Sequence, residues 1–291
     1  MIELLSITTD AGYARRLWAH PGNTVFVDLE IEGKRERQAS RDTVINVHSM
    51  DDAARLAGLP GRGPLLVRTN PPGRGAEAEA RALVALGVER IMLPMFRTRT
   101  QVEGVVSALT AAAAGARPPR LSLLAETEEA VNDLEAILRD LPDWVDHVHI
   151  GLNDLALARG SGFLFEPVAT GEIAALARRV QGMGRRFGFG GVGMPGHGAV
   201  PAEKILGEHV RVGSSCVILS RAFHRTVAPD DPDDLSRGLH AVRQWEAHWK
   251  GAQPEALARN HEALRDAIQK ISKRSARPSP SSSSLDQSDS P

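Results

Sequence analysis

The chain has 291 residues, of which 42% are hydrophobic and 24% charged, and its formal net charge is −1. This is the composition of a globular protein, and a chain so close to neutrality has no electrostatic attraction to nucleic acid. No run of about 18 apolar residues predicts a membrane span, and no basic region followed by an apolar run predicts a secretory signal. The single cysteine, Cys216, cannot form an internal disulfide and is expected to be an inert buried thiol. These features predict a cytoplasmic protein.

Short β-rich segments recur along the chain at intervals long enough to hold a helix. They are Ile2–Thr8, Thr24–Glu30, Pro64–Thr69, Arg90–Met95, Arg120–Glu126, His147–Leu152, Arg186–Val192 and Ser214–Ser220. Helix-forming residues fill several of the intervals and predict helices at Ala76–Leu86, Thr100–Ala114, Glu128–Leu138 and Gly171–Val180. Because parallel strands need crossover connections, the pattern predicts an α/β fold, a parallel (β/α)8 TIM barrel. A doubly wound open sheet is the alternative.

Two further helices are predicted after the last strand, at Asp233–Trp249 and Pro254–Ile271. The second carries an apolar stripe of Leu257, Leu264, Ile268 and Ile271 at helical spacing. The stripe can pack on its own barrel or on a neighbouring subunit, and the second arrangement, a homo-oligomer, is the one we expect. Residues 1–272 are thus predicted to form one domain, and the Ser/Pro-rich residues 273–291 a disordered tail.

Polar residues stand where several predicted strands end, the side of a barrel that carries catalysis. In the second strand, alternation places Asp28 and Glu30 on the face opposite the aliphatic residues Val25, Val27 and Leu29. The aliphatic face is expected to pack against helices. Asp28 and Glu30 are therefore predicted to point into the barrel.

Glu126 and Asp154 follow two consecutive predicted strands, which lie about 4.8 Å apart in a sheet. Two carboxylates that close repel each other unless a proton or a cation neutralises them. An all-oxygen site suits Mg²⁺ or Mn²⁺ rather than zinc. The alternative is that each residue forms a surface ion pair or caps a helix.

Arg68 ends a predicted strand that is otherwise apolar, where its guanidinium offers fixed donors to a carboxylate or enolate oxygen. An ion pair with Asp28 or Glu30 is the alternative. His147 and His149 are predicted to point into the barrel, where a hydrogen-bonded core histidine is commoner than a ligand or base.

The segment from Phe187 to Gly196 contains a formal G-x-G-x-x-G match. A dinucleotide site is rejected because the match falls at the seventh strand and Pro195 interrupts the expected helix start. Its glycines, Gly191 among them, are instead predicted to let the backbone approach a ligand closely, and a phosphate could bind there.

Together the strand ends resemble the HpcH/HpaI family of oxo-acid aldolases and citrate lyase beta subunits, over about residues 25–220. The resemblance is carried by Phe-Val-Asp-Leu-Glu at 26–30, Leu-Val-Arg-Thr-Asn at 66–70, Ile-Met-Leu-Pro-Met at 91–95, Leu-Leu-Ala-Glu-Thr at 123–127 and His-Ile-Gly-Leu-Asn-Asp-Leu at 149–155. It implies a barrel in which Glu126 and Asp154 bind Mg²⁺ or Mn²⁺ and Arg68 steadies enolate charge on a pyruvate-like or acyl substrate. Two departures stand out: residues 28–34 lack the histidine of the family's aldolases, and Leu124 replaces a frequent glutamine.

The sequence therefore predicts a divalent-metal-dependent, aldolase-like carbon–carbon lyase that acts on a small 2-oxo acid or pyruvate-derived substrate. Its predicted substrate-binding residues are Arg68, Asp28, Gly151, Asn153 and Gly191. The base is a water on the metal, Glu30 or His149. The alternatives are a metal-dependent barrel that acts on a phosphoenol or an acyl thioester, and a non-catalytic binding barrel. Nucleic acid and membranes are not expected partners.

Overall fold

A computed structural model describes residues 1–31, 48–227 and 231–275 of the chain. The strands in these residues are β1 (Glu3–Ile7), β2 (Asn23–Asp28), β3 (Leu65–Arg68), β4 (Arg90–Leu93), β5 (Arg120–Ala125), β6 (Val145–Ile150), β7 (Arg186–Val192) and β8 (Cys216–Leu219). All are parallel, each pairs with the next in the chain, and β8 pairs with β1 to close a barrel. The predicted (β/α)8 fold is confirmed, and the open-sheet alternative is wrong.

Helices connect the strands and follow the last of them. They are α1 (Ala11–Trp18), α2 (Met50–Ala57), α3 (Ala76–Ala85), α4 (Arg99–Ala112), α5 (Glu128–Asn132), α6 (Leu134–Leu138), α7 (Leu152–Ala158), α8 (Glu166–Ala169), α9 (Glu172–Gly182), α10 (Ala202–Arg211), α11 (Arg221–Thr226), α12 (Pro232–Lys250) and α13 (Pro254–Ser275). The helix predicted at Glu128–Leu138 is divided at Asp133, whose backbone is not helical (φ −97°, ψ 14°). Aspartate disfavours helix interiors because its side chain competes for backbone hydrogen bonds.

The strands pack two different sets of side chains on their two faces. Inside the barrel one cluster is formed by Leu5, Phe26, Leu66, Met92, Leu124 and Cys216. Val25, Val27 and Leu29 belong instead to the larger core between the barrel and its helices. The predicted alternation of β2 is confirmed.

The apolar stripe of α13 packs on its own chain, against α8 and α10. Leu264 and Ile268 are buried and belong to the main core. Asn260 Nδ2 donates to the Lys204 carbonyl at 2.9 Å, which ties the same helix to α10. Their own chain therefore covers Leu264 and Ile268, which leaves these two no contact with a neighbouring subunit, whereas Leu257 and Ile271 are half-buried. A homo-oligomer stays a prediction.

We expect Leu264→Ala to lower the free energy of unfolding by about 2–5 kcal/mol, the usual cost of a cavity at a buried leucine. Leu257→Ala, at a half-buried position of the same stripe, should cost less. Urea unfolding at two protein concentrations measures both variants. Equal losses, or a loss that depends on protein concentration, would show that the stripe is buried between chains.

Two further predictions concern membrane spans and the C-terminal boundary of the domain. No helix in the described ranges is long and apolar enough to cross a membrane. Helix α13 continues to Ser275, so the predicted boundary at residue 272 falls inside it. The rest of the predicted tail, residues 276–291, lies outside the described residues.

Candidate active site

The polar residues singled out from the sequence gather at the carboxyl ends of the strands. Asp28 and Arg68 are the last residues of β2 and β3, where they are paired in register. Glu30 lies two residues beyond β2, and Glu126 directly follows β5. Carboxyl ends of parallel strands share one end of the barrel, so these side chains come together there.

Arg68 is held by both acidic residues of the β2 end. Its Nε and Nη2 atoms donate to the two carboxylate oxygens of Asp28, each at 2.8 Å. Nη2 also lies 3.3 Å from Glu30 Oε2. The guanidinium carbon lies 5.6 Å from the centre of the Phe26 ring. The ion pair left open by the sequence is thus present, and within the described residues Nη1 has no hydrogen-bond partner.

Glu126 is a buried carboxylate under electrostatic strain. Its side chain is 3% exposed, and Oε1 accepts the Met95 N–H at 3.2 Å. Met95 has a positive φ of 54°, which is unusual for a residue with a side chain. Burial raises the pKa of Glu126 well above its ordinary value of 4.5, and the charges of Asp154 and Glu30 raise it further. Arg68 and the Met95 N–H oppose this rise.

Asp154 lies in the first turn of α7 rather than at a strand end as predicted, because β6 already ends at Ile150. It is nevertheless close enough to Glu126 to be the largest charge raising the pKa of that residue. Asn153 is exposed on the same turn. The predicted pair is therefore brought together by one strand end and one helix start.

Gly151, between β6 and α7, allows Glu126 its position. A Cβ at Gly151 would lie 2.6 Å from Glu126 Oε2 and 2.7 Å from Glu126 Cβ. Real Cβ atoms do not approach other atoms that closely, so a larger residue must displace the carboxylate. Gly151 thus acts on the site by positioning Glu126, and its predicted contact with substrate stays a prediction.

We expect Gly151→Ala to weaken Mn²⁺ binding by about 10–100-fold, the usual effect of disturbing a residue that orients a metal ligand. Gly104→Ala is the matched control, because a Cβ there meets nothing within 4 Å. Titration calorimetry measures both affinities. Unchanged Mn²⁺ affinity in Gly151→Ala would contradict the positioning role.

The donors at this end of the barrel fit a hard divalent cation. Glu126 and Asp154 supply carboxylate oxygens, the preferred ligands of Mg²⁺ and Mn²⁺. Their repulsion, to which Glu30 adds, would be relieved by a cation that both carboxylates hold. Arg68 is the neighbouring positive charge, and its Nε and Nη2 atoms are already engaged by Asp28.

The raised pKa of Glu126 predicts how stability depends on pH. Below about pH 4.5 this carboxyl is protonated in folded and unfolded chains alike, and the stabilisation from the protonated form is fully present. As pH rises, the unfolded chain releases the proton first, so the free energy of unfolding falls until the pH has passed the raised pKa of the folded chain. We therefore expect Glu126→Gln to melt at a higher temperature than the metal-free unsubstituted protein at neutral pH, with the gap closing towards pH 4. A gap that is absent or widens on acidification would contradict the strain.

His147 and His149 point into the barrel, as predicted, and meet Cys216. His147 Nε2 lies 3.2 Å and His149 Nδ1 3.5 Å from Cys216 Sγ. His149 Nε2 lies 3.0 Å from the Gly190 carbonyl, so both of its ring nitrogens have partners. Burial lowers the pKa of His149 to about 4 and raises that of Cys216 to about 12. These contacts do not favour His149 as the base, a role that stays a prediction.

Gly191 approaches the neighbouring strand closely. A Cβ there would lie 3.2 Å from the Ile218 carbonyl and 3.5 Å from Ser220 Cβ. The glycine is thus explained by packing against β8, and its predicted contact with substrate stays a prediction. The next helix, α10, begins only at Ala202. A dinucleotide loop leads directly into a helix, so the rejection of that motif is supported.

His48, for which the sequence leaves open a place at the site or in solvent, lies at the β2 end. Its Nδ1 accepts the Asp28 N–H at 3.0 Å. The capping box of Ser49 and Asp52 starts α2 directly after His48 and so places His48 beside Asp28. In the sequence, this Ser-x-x-Asp pattern is the feature that could have indicated the position of His48. A pocket of about 290 Å³ opens beside it, lined by Leu29, Ile31, His48, Ser49, Met50, Asn70, Pro71, Arg74, Gly75, Ala76 and Glu79.

A family model described as HpcH/HpaI aldolase/citrate lyase matches residues 15–187, which is more than half of the chain and includes every acidic residue of the site. The chain belongs to the HpcH/HpaI aldolase/citrate lyase family. This confirms the resemblance seen in the sequence. Membership in the HpcH/HpaI family indicates a lyase.

Solved structures of related barrels share this fold. RipC from Yersinia pestis aligns with a TM-score of 0.56 at 16% identity, over 88% of this chain and 98% of its own. An HpcH/HpaI aldolase from Desulfitobacterium hafniense DCB-2 gives 0.55 at 17% identity, over 75% and 86%. A citrate lyase from Burkholderia xenovorans LB400 gives 0.56 at 15%, over 97% and 94%. At such identities the likeness concerns the fold alone. No curated protein sequence matched the chain.

Proposed function

We propose that this HpcH/HpaI family member is a divalent-metal-dependent, aldolase-like carbon–carbon lyase that acts on a small 2-oxo acid. Glu126 and Asp154 hold Mg²⁺ or Mn²⁺, and Arg68 binds the substrate oxygen that gains negative charge. When bound, the cation supplies Lewis-acid polarisation of the substrate's carboxylate and oxo oxygens.

The observation that carries the proposal is the strained carboxylate pair. Burial and the charge of Asp154 both oppose the ionised form of Glu126, an arrangement that a cation relieves and that packing alone does not require. Perturbed pKa values of this kind cluster at functional sites.

Arg68 is prepared to stabilise charge on a substrate. Asp28 fixes the guanidinium plane through two hydrogen bonds of 2.8 Å, and the Arg68 side chain is 12% exposed. Nη1 is thereby held as a fixed donor, and a fixed donor aimed at developing charge costs no reorganisation during the reaction. Glu30, whose carboxylate lies 3.3 Å from Nη2, is the group to which we assign proton transfer.

Exchange of the pyruvate methyl protons for deuterium tests the proposal without knowledge of the second substrate. We expect exchange that requires Mn²⁺ and is lost in Glu126→Ala. Exchange that proceeds equally without the metal would refute metal dependence. Mn²⁺ binding without exchange on any 2-oxo acid would favour a non-catalytic binding barrel, and activity only on a phosphorylated or thioester substrate would favour the other alternative.

A further inference from the structure

A second group of potential metal ligands lies inside the barrel and shares no residue with the carboxylate site. His147 and His149 of β6 and Cys216 of β8 are buried, and one donor atom from each lies within 4.8 Å of the other two. We propose that these three residues form a metal site for a thiophilic d¹⁰ cation, Cu⁺ or Zn²⁺, that ties β6 to β8 across β7.

The pairing of the strands sets up this arrangement. His149 is paired with Gly188 of β7, and Gly188 is paired with Cys216. His149, Gly188 and Cys216 thus form one row across β6, β7 and β8. The middle residue, Gly188, has no side chain. A Cβ at Gly188 would lie 2.7 Å from Cys216 Sγ and 2.8 Å from His149 Nδ1. The glycine therefore leaves the space in which the two donor atoms meet.

The two sulfur–nitrogen separations match the edges of a metal polyhedron. Bond lengths of about 2.3 Å to sulfur and 2.0–2.1 Å to nitrogen give a sulfur–nitrogen edge of about 3.5 Å in a tetrahedral zinc site. The observed distances from Cys216 Sγ are 3.2 Å to His147 Nε2 and 3.5 Å to His149 Nδ1. The two sulfur–nitrogen edges therefore already have the length that a bound cation requires.

The tautomer of His149 is also set for a ligand. Its Nε2 lies 3.0 Å from the Gly190 carbonyl, which can only accept a hydrogen bond, so the proton is assigned to Nε2. Nδ1 then presents its lone pair towards Cys216. Metal-bound histidines typically donate their other ring N–H to a carbonyl or carboxylate in this way.

Charge and donor type select the cation. Mg²⁺ and Mn²⁺ prefer oxygen donors, whereas a thiolate with two imidazoles suits Cu⁺ and Zn²⁺. Apolar side chains that include Leu5, Phe26 and Leu124 pack around Cys216 inside the barrel. The Glu3–Arg90 and Asp146–Arg186 ion pairs also act on it, with charges of both signs. Bound to one thiolate, Cu⁺ leaves a neutral centre and Zn²⁺ a net positive one. Burying an uncompensated charge is costly, so Cu⁺ is the expected occupant.

Metal analysis of the full chain tests this proposal. The protein is produced with the rim carboxylates neutralised, as Glu126→Gln with Asp154→Asn, in media supplemented with copper or zinc, and is purified without chelators. We expect one ion per chain, more readily copper, and its loss when Cys216→Ser is added. His209→Gln, at another buried histidine whose Nδ1 contacts Ser214, should keep the ion. No ion in either medium, or an ion that survives Cys216→Ser, would overturn the proposal.

X-ray absorption on the metal-loaded, unsubstituted protein needs no variant to fold. We expect one sulfur scatterer at about 2.3 Å for zinc, or a copper edge with sulfur and nitrogen neighbours. A first shell made only of oxygen and nitrogen would mean that the three residues are a hydrogen-bonded core cluster without metal. The outcome is independent of pyruvate exchange, because that reaction depends on the carboxylates at the rim.

Discussion

Glu126→Ala and Asp154→Ala should each weaken Mn²⁺ binding by more than about 100-fold, because disturbing even a supporting residue costs about 10–100-fold. Each substitution removes one of the two carboxylates whose repulsion the cation relieves. The barrel should stay folded in both variants, since the core between strands and helices is untouched. Pyruvate methyl exchange should fall to background in both. Titration calorimetry with Mn²⁺ and near-ultraviolet circular dichroism measure binding and folding separately.

Glu129→Ala is the matched control for this pair. Glu129 lies in the same strand-to-helix region, but its side chain is 52% exposed and pairs with Arg97 at the surface. Its loss should leave Mn²⁺ affinity unchanged. The metal assignment would be lost if both Glu126→Ala and Asp154→Ala bound Mn²⁺ as tightly as this control does.

The barrel could be predicted because each strand carries its own signal. Apolar β-forming runs are local features, and their regular spacing implies crossover connections and hence parallel pairing. Strand ends were harder to place: β6 was predicted to reach Leu152, but that residue opens α7. The periods of strand and helix cannot be distinguished over so short an apolar run.

The same reasoning predicted that the acidic residues of the candidate site lie together, but it did not predict their contacts. Glu126 and Asp154 could be paired because they follow consecutive strands, although Asp154 itself lies in the first turn of α7. Gly151 matters because a Cβ at this position would collide with Glu126. No pattern in the linear sequence indicates that collision. Gly191 shows the reverse: a glycine interpreted as a ligand contact faces Ile218 of the next strand.

The packing of α13 shows why amphipathicity alone does not identify a partner. The stripe predicted that one face must be buried, and Leu264 and Ile268 are buried. Whether its own barrel or another chain covers that face depends on where α8 and α10 lie. That arrangement is a property of the whole fold, not of the stripe.

Arg68→Lys should lower turnover by about 100–1000-fold, the usual effect of removing one preorganised donor to a developing oxyanion. A lysine keeps the charge but presents a single nitrogen on a flexible stem. It cannot hold both Asp28 oxygens, as Nε and Nη2 do at 2.8 Å, and also offer a third nitrogen to the substrate. Mn²⁺ affinity should change only slightly, because Asp28 is not a proposed ligand.

Arg120→Lys serves as the control for that change. Arg120 begins β5 at the opposite end of the barrel, is 50% exposed and pairs with Asp146 at 3.1 Å. Exposed pairs of this kind contribute at most about 1 kcal/mol, so its turnover should equal that of the unsubstituted protein. If Arg68→Lys matched this control in turnover, Arg68 would serve only to neutralise Asp28 and Glu30. If it lost turnover while keeping Mn²⁺ affinity and near-ultraviolet circular dichroism, the guanidinium would be acting on the substrate.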